Sequence, residues 1–422
     1  MRRKPVCAIS TDFREKDAMV HKSFTCELIT PMFGGDSKSW EIDEQNPVRG
    51  QSVKGQLRFW WRTMQKETDV KTLLNKENCL WGGKICDAED EKNRIKSPVS
   101  LSITEQQVSH KTHVQANASG KALGDNNAIP SYVLFPVTET VTKGVKDVSV
   151  IEELAFTLNI SFPRDKKNEV MDTLKLWILF GGVGARTRRG TGSLYCEELL
   201  REFQEKEDVN RFVEHTGSGE SGALGYPRIK GAVLFAAAVQ ETPVKSWKTM
   251  LESYGRFRQD RPRSGRSRPG RSYWPEPDAI RRITGVHAPG HEPEHPDGNW
   301  FPRAAFGLPI LTKFSTSNDP GRNKAMSLEP DINTGERLPS PVILKVIQLP
   351  GNKILKIALV LNQTFPEQLI LKDGCQTFPV TGRMLPFHPG YENNKIMRQG
   401  SELNGETIYE NLAGHLNLQE VE

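Results

Sequence analysis

The chain has 422 residues, enough for two or three domains with cores of their own. Its 36% hydrophobic and 26% charged residues fit a globular protein, and 35 Gly with 27 Pro point to long loops. Lys and Arg outnumber Asp and Glu only 57 to 52, so the net charge of +5 implies no nucleic-acid partner by itself, and what matters is where the charges sit.

The first residues, MRRKPVCAISTDFREKD, lack the apolar core of a signal peptide. No run approaches the roughly 18 apolar residues of a membrane span. Six scattered cysteines without a CxxC pair read as reduced thiols of a cytoplasmic protein.

Ser23–Phe33 is rich in β-formers and predicts a strand, closed by Pro31 and Gly34. A loop ending at Arg49 and Gly50 leads into a helix over Ser52–Thr68, with Ser52 as N-cap. Its apolar positions Val53, Leu57, Trp60, Trp61 and Met64 recur at helical spacing. Lys54, Arg58 and Arg62, four residues apart, form a basic stripe beside them. The stripe is a solvated flank or, with Arg49 just before it, part of a phosphate-binding surface.

Pro98–Ser109 alternates like a strand, and 110–128 reads as a polar loop or finger carrying His110 and His113 without a third metal ligand. Ser131–Val137 and Val148–Phe162 predict strands, and Asn168–Phe180 predicts an amphipathic helix. That helix runs into FGGVGARTRRGTGSL (Phe180–Leu194), with five glycines and three arginines, and a strand is expected over Gly192–Leu200. Strand, helix, two or more strands, helix, strand is the ferredoxin-like split βαβ order, here with insertions.

Residues 201–224 have the composition of a linker. A strand at Tyr226–Val239 and a helix at Val244–Arg258 open a second pattern. Within 256–271 stand Arg256, Arg258, Arg261, Arg263, Arg266, Arg268 and Arg271, with Pro and Gly opposing regular structure. Aromatic Phe257, Tyr273 and Trp274 at its ends suit base stacking, so the run reads as a segment that orders on RNA, or as a solubilising stretch. His287, His291 and His295 are separated by prolines and suit a polar loop better than a metal site. Strands follow within Phe301–Phe314 and Pro341–Leu361, the latter a hairpin about Pro350–Asn352. Beyond 366 the pattern weakens, with a helix expected in Glu402–Leu416. The expected division is 1–200, linker 201–224, and 225–422.

The glycine loop does not fit nucleotide-cofactor fingerprints. No GK[ST] ends it, and Thr187 stands where a third dinucleotide glycine belongs. Glycines that let backbone approach closely and arginines with planar donor forks suit an extended phosphate chain. The alternative is a tight packed turn with exposed arginines. No GxSxG, HExxH or placeable Cys–His pair appears, although a single His could serve a metal-independent ribonuclease as general base. No metal or cofactor is expected.

TPMFGG (Thr30–Gly35), PVRGQSVKGQLRFWWR (Pro47–Arg62) and FGGVGARTRRGTGSL together resemble the RAMP superfamily of CRISPR proteins, and within it the head subunit of the type III-B (Cmr) effector. YWPEPDAIRR (Tyr273–Arg282) and FPRAAFGLPI (Phe301–Ile310) are similar to further segments of that subunit, so the likeness runs over residues 23–362. The resemblance implies an α+β fold of two tandem ferredoxin-like, RRM-related domains. It also implies a non-catalytic subunit near the crRNA 3′ end, beside another RAMP head subunit and the backbone subunits, one of which cuts target RNA. RNA contacts are implied for Lys54, Arg58, Arg62, Gly182, Gly184, Arg186, Arg188, Arg189, Gly190 and Gly192. The arginine run exceeds what the resemblance requires, and the tail beyond 366 has no counterpart. A crRNA-processing endoribonuclease and a protein-only docking subunit remain the competing readings.

Overall fold

The computed structural model describes residues 18–36, 41–84, 94–116, 122–123, 129–138, 146–217, 219, 225–259, 263–264, 268–269, 272, 274–294, 300–322, 324–331, 337–366, 368–374, 376–380 and 407–422. The first unit runs β1 (Met19–Leu28), β2 (Met32–Phe33), α1 (Gly50–Thr63), α2 (Val70–Trp81), β3 (Gly83–Lys84), β4 (Arg94–Ile95), β5 (Ser100–Ala116), β6 (Ala122–Leu123), α3 (Ser131–Thr138), β7 (Lys146–Pro163), α4 (Lys167–Phe180) and β8 (Leu194–Tyr195). Strands β5, β7, β1 and β8 lie side by side in that order, every neighbour antiparallel. With α1 between β1 and β5 and α4 between β7 and β8, this is the expected split βαβ.

The second unit follows with α5 (Glu197–Leu200), α6 (Lys206–His215), β9 (Arg228–Val239), α7 (Pro243–Gln259), β10 (Arg263–Ser264), β11 (Arg268–Pro269), α8 (Glu276–Thr284), β12 (Ile310–Lys313), β13 (Ala325–Pro330), β14 (Val342–Leu349), β15 (Lys353–Asn362), β16 (Leu369–Asp373), β17 (Gln376–Val380), α9 (Ile408–His415) and β18 (Gln419–Glu420). Its main sheet, β14-β15-β9-β18, repeats the same antiparallel order. The insertion before β14 and the segment after β15 jointly supply a smaller sheet, β12-β13-β16-β17.

The units stack as sheet, helices, sheet, helices. Leu57 and Trp61 of α1 and Leu174 and Trp177 of α4 share one core with Phe24, Phe156 and Leu158 beneath them and with Ile343, Ile347 and Ile357 of the second sheet above. The other side of that second sheet packs Val342 and Leu344 on Trp247, Leu251 and Leu412 of α7 and α9. This double burial is why β14 reads VILKVIQL without alternation. The outer side of the first sheet, by contrast, remains open: along β1, Phe24 and Cys26 point inward while Ser23, Thr25 and Glu27 are exposed.

Several local expectations change. Ser131–Val137 is helix α3, not a strand, because Val133 and Leu134 bury against Val114 and Val148. A short apolar run does not distinguish the two forms by period. Helix α1 starts at Gly50, with Arg49 rather than Ser52 at its cap. The polar stretch after Ser109 continues as β5 to Ala116. The strand expected over Gly192–Leu200 is only the two residues of β8, followed by α5. The segment read as linker holds α6, whose Val209 and Val213 are buried. The tail past 366 supplies β16, β17, α9 and β18, so it completes both second-unit sheets.

Candidate nucleic-acid interface

The glycine loop folds onto its own unit. Val183 N–H donates to the Gly192 carbonyl at 2.9 Å, Gly192 N–H to Pro31 at 3.0 Å, and Ala185 N–H to Phe33 at 2.8 Å. Thr30 Oγ1 donates to the Gly190 carbonyl at 2.6 Å and accepts from Ser193 N–H at 2.9 Å. At Gly192, φ is +63° and a Cβ would stand 1.9 Å from the Val183 oxygen. At Gly190, φ is +72° and a Cβ would stand 2.9 Å from the Leu344 oxygen and from Trp247. Gly182 and Gly184 similarly face the Gly192 and Phe33 carbonyls. The close approach that requires glycine is therefore to protein backbone, and the packed turn describes this loop.

Its arginines are not exposed, however. Arg189 Nη1 donates to the Val342 carbonyl at 2.9 Å, and its guanidinium lies over the Tyr254 ring, 4.8 Å from the centroid. Arg188 donates to the Ser340 carbonyl and lies 5.1 Å over Phe59. Burial, and then the neighbouring Arg189, lower its pKa to about 10. Trp247 Nε1 closes the joint by donating to the Arg189 carbonyl at 2.7 Å. Arg186, half-buried, takes a left-handed φ of +60°.

Arg258, from the arginine run, enters the same joint, donating to the Tyr254 hydroxyl at 3.0 Å and lying 4.8 Å over Phe306. Burial would raise the Tyr254 phenol, but Arg189 and Arg258 outweigh it and hold the phenol below its usual value. Arg256 is exposed near the end of α7. Arg263 and Arg268 belong to a two-stranded ladder, Arg263 opposite Pro269 and Ser264 opposite Arg268, so Pro and Gly do not bar regular structure there. Arg261, Arg266 and Arg271 lie outside the described residues, as do Tyr273 and His295.

On α1 the basic stripe divides. Arg62 Nη1 lies 2.7 Å from Glu77 Oε1, and Arg58 Nε meets the same oxygen. Arg58 also donates to Asn78 Oδ1 at 3.0 Å and to the Gly82 carbonyl at 3.1 Å. These two guanidinia, about one-third exposed, fasten α2 to α1 through a carboxylate that is only 1% exposed. Lys54 instead reaches a groove at the start of α1, its pKa lowered first by burial and then by Arg58.

That groove has a volume of about 670 Å³ and is lined by Asp43, Arg49, Gln51, Lys54, Lys96 and Ser100, among others. Arg49 is exposed and donates to the Gly35 carbonyl. Asp43 turns its Oδ1 to the Gln45 and Asn46 N–H groups, both at 3.0 Å. The first turn of α1 has no side-chain cap and no acidic residue, so its unpaired N–H groups add positive potential at the same place. Lys96 was missed by sequence reasoning, since an isolated lysine before a strand carries no motif.

Elsewhere, His110 pairs with Glu152 at 3.1 Å, and His291 Nδ1 bonds Asp319 Oδ2 at 2.7 Å. Among the described residues, no group of three His, Cys, Asp or Glu could hold a metal ion. No helix among them is long and apolar enough to cross a membrane.

Two stacked split βαβ units with a basic groove at the first helix define a double ferredoxin-like protein. Residues 25–195, from within β1 to the end of β8, match the sequence model of the RAMP superfamily. Among solved structures, the chain is similar to Cmr1 from Pyrococcus furiosus in its apo form, with 16% identity and a TM-score of 0.46 over 95% of this chain and 98% of that one. It is also similar to a chain of the type III-B Cmr-beta complex bound to cognate target RNA, with 13% identity and a TM-score of 0.44 over 82% and 94%. A third similar chain, at 12% identity and a TM-score of 0.40 over 80% and 94%, comes from that complex with target RNA and AMPPnP in the presence of ssDNA. No curated protein matches in sequence.

Proposed function

We propose that this chain is a non-catalytic, RNA-binding head subunit of a cytoplasmic type III-B CRISPR ribonucleoprotein that acts in antiviral defence. It would sit near the crRNA 3′ end, beside a second RAMP head subunit and the backbone subunits, and touch crRNA or target RNA through phosphates. The observation that carries this reading is the groove where Arg49, Lys54 and Lys96 surround the uncapped start of α1, within the residues that match the RAMP model. Cations and helix N–H groups together bind phosphate without regard to sequence. The type III-B setting is supported by the five sequence segments that resemble the head subunit in order.

Within the groove, Arg49, Lys54 and Lys96 make the phosphate contacts. Arg188, Arg189 and Arg258 position the joint between the units rather than RNA.

Replacing Arg49, Lys54 and Lys96 with Ala should weaken RNA binding and flatten its salt dependence by about 0.7 in log–log slope for each lost phosphate contact. Unchanged affinity with unchanged slope would refute the groove. Incubating the protein with labelled repeat RNA tests the ribonuclease reading in parallel, since cuts at defined positions would replace a binding role by a processing one.

A further inference from the structure

The open face of the first sheet is lined in register by hydroxyl and amide groups. Across β1, β7 and β5, one row is His21–Ser161–Ser100 and the next is Ser23–Asn159–Ser102. Strand alternation puts all six on the side opposite the buried Phe24, Leu158 and Ile160. The side chains are already held by one another. Ser23 Oγ donates to Asn159 Oδ1 at 2.7 Å, the Ser100 and Ser161 hydroxyls share a bond of 2.6 Å, and Asn159 Nδ2 donates to Thr104 Oγ1 at 2.8 Å. Each hydroxyl oxygen keeps further bonding capacity toward solvent.

A cavity of about 420 Å³ lies over these rows, with Lys22 on its wall. It shares Ser100, Leu101 and Ser102 with the basic groove at α1. The two hollows therefore meet at the start of β5, with Arg49, Lys54 and Lys96 in one and the hydroxyl rows in the other.

We infer that these rows read ribose: they bond the 2′-hydroxyls of a single RNA strand whose phosphates lie in the basic groove. This rests on the RNA-binding reading above. Apart from the His21 imidazole the rows carry no aromatic ring, so they do not form the stacking platform of an RRM sheet. They carry no Arg or Lys either, so phosphates belong to the flanks. What they offer are groups that both donate and accept, matching a 2′-hydroxyl, the group that separates RNA from DNA. Successive rows stand about 7 Å apart, two strand residues, comparable to one nucleotide step of an extended strand.

The test compares single-stranded RNA, DNA of the same sequence and 2′-O-methyl RNA on the full-length protein. RNA should bind about fivefold or more tightly than DNA, the effect of one or two hydrogen bonds, with 2′-O-methyl RNA close to DNA. In Ser23→Ala/Ser102→Ala/Ser161→Ala the RNA-to-DNA ratio should fall toward one while DNA affinity and salt slope stay as in the wild type. Unchanged DNA binding also reports an intact fold, and Ser102→Ala alone, at an exposed position, provides the gentler variant with a partial loss of the ratio. Equal binding of RNA and DNA by the wild type, or a ratio that survives both variants, overturns ribose reading and leaves the RNA-binding reading in place. Binding of neither strand overturns both.

Discussion

Lys345 reaches across the joint between the two units and donates from Nζ to the Ile178 carbonyl at 2.9 Å, and to the Gly181 carbonyl beside it. Both acceptors lie at the C-terminal end of α4, whose own last turn contains no basic residue. A side chain of the second unit thus caps a helix of the first. Full burial pushes the ammonium well below its ordinary value of 10.5. In the window between the depressed folded value and 10.5, the unfolded chain binds this proton more strongly, so stability rises with pH there and levels off above it. Lys345→Met removes that contribution. The melting temperature of the wild type should gain on that of the variant as the pH approaches 10.5; a difference independent of pH would mean that the amine stays protonated in both states.

The second prediction concerns Glu77, one of whose carboxylate oxygens receives both Arg58 and Arg62 while the other has no partner. Glu77→Ala leaves two guanidinia without their acceptor and should lower the unfolding free energy by about 2 kcal/mol, below the range for fully buried pairs because both arginines are partly solvated. The same change releases Arg62 and leaves Arg58, still held by Asn78 and the Gly82 carbonyl, without its counter-charge close to the basic groove. RNA binding should then become more salt-dependent, by up to about 0.7 in log–log slope per cation left without a counter-charge. Urea denaturation and an RNA salt titration check the two halves separately, and lost stability at unchanged slope would confine these arginines to holding α2.

How much of this was legible in the sequence follows from the range of the interactions. The apolar spacing of Val53, Leu57, Trp60 and Trp61 is local, and it marked α1 correctly. The split βαβ order of the first unit was legible because strand and helix patterns alternate there, whereas its repetition in the second unit was implied only by the family resemblance. The partners of Arg58 and Arg62 were not, since Glu77 belongs to another helix. Nor could the sequence tell a glycine that admits a phosphate from one that admits the Val183 or Leu344 carbonyl, because both require the same backbone freedom. The row Ser23–Asn159–Ser102 depends on the register of three strands far apart in the chain, and a one-residue slip would turn these residues inward.

The third prediction is acid sensitivity through Asp319. Burial would raise this carboxyl, but hydrogen bonds from Arg281, Thr316, His291 and the Ala288 N–H outweigh it and hold it far below the usual 3.8. A depressed acid contributes stability that is complete above 3.8 and fades as the pH falls below it. Asp319→Asn should cost about 3 kcal/mol near neutrality, where it leaves buried Arg281 with Asp278 as its remaining carboxylate. The deficit should shrink as the pH is taken below 3.8. Thermal melts of both proteins across the acid range read it directly, and a constant deficit would mean that packing, not charge, makes Asp319 matter.

The last prediction separates backbone strain from crowding with two glycines of similar geometry. Gly192 and Gly285 have φ of +63° and +65°, so alanine at either position is strained by about 1 kcal/mol. A Cβ at Gly285 meets nothing within 4 Å, whereas at Gly192 it would stand 1.9 Å from the Val183 oxygen. Relieving that overlap means opening the Val183–Gly192 hydrogen bond and shifting a loop on which Thr30, Arg189 and Trp247 all depend. Gly285→Ala should therefore cost about 1 kcal/mol, and Gly192→Ala about 3 kcal/mol or more. Because Gly192 packs against Val183 and Pro31 of its own unit and does not line the basic groove, Gly192→Ala that still folds at low temperature should keep its RNA affinity there. Equal costs for the two substitutions would mean that the loop yields freely, and that the glycines are needed for conformation alone.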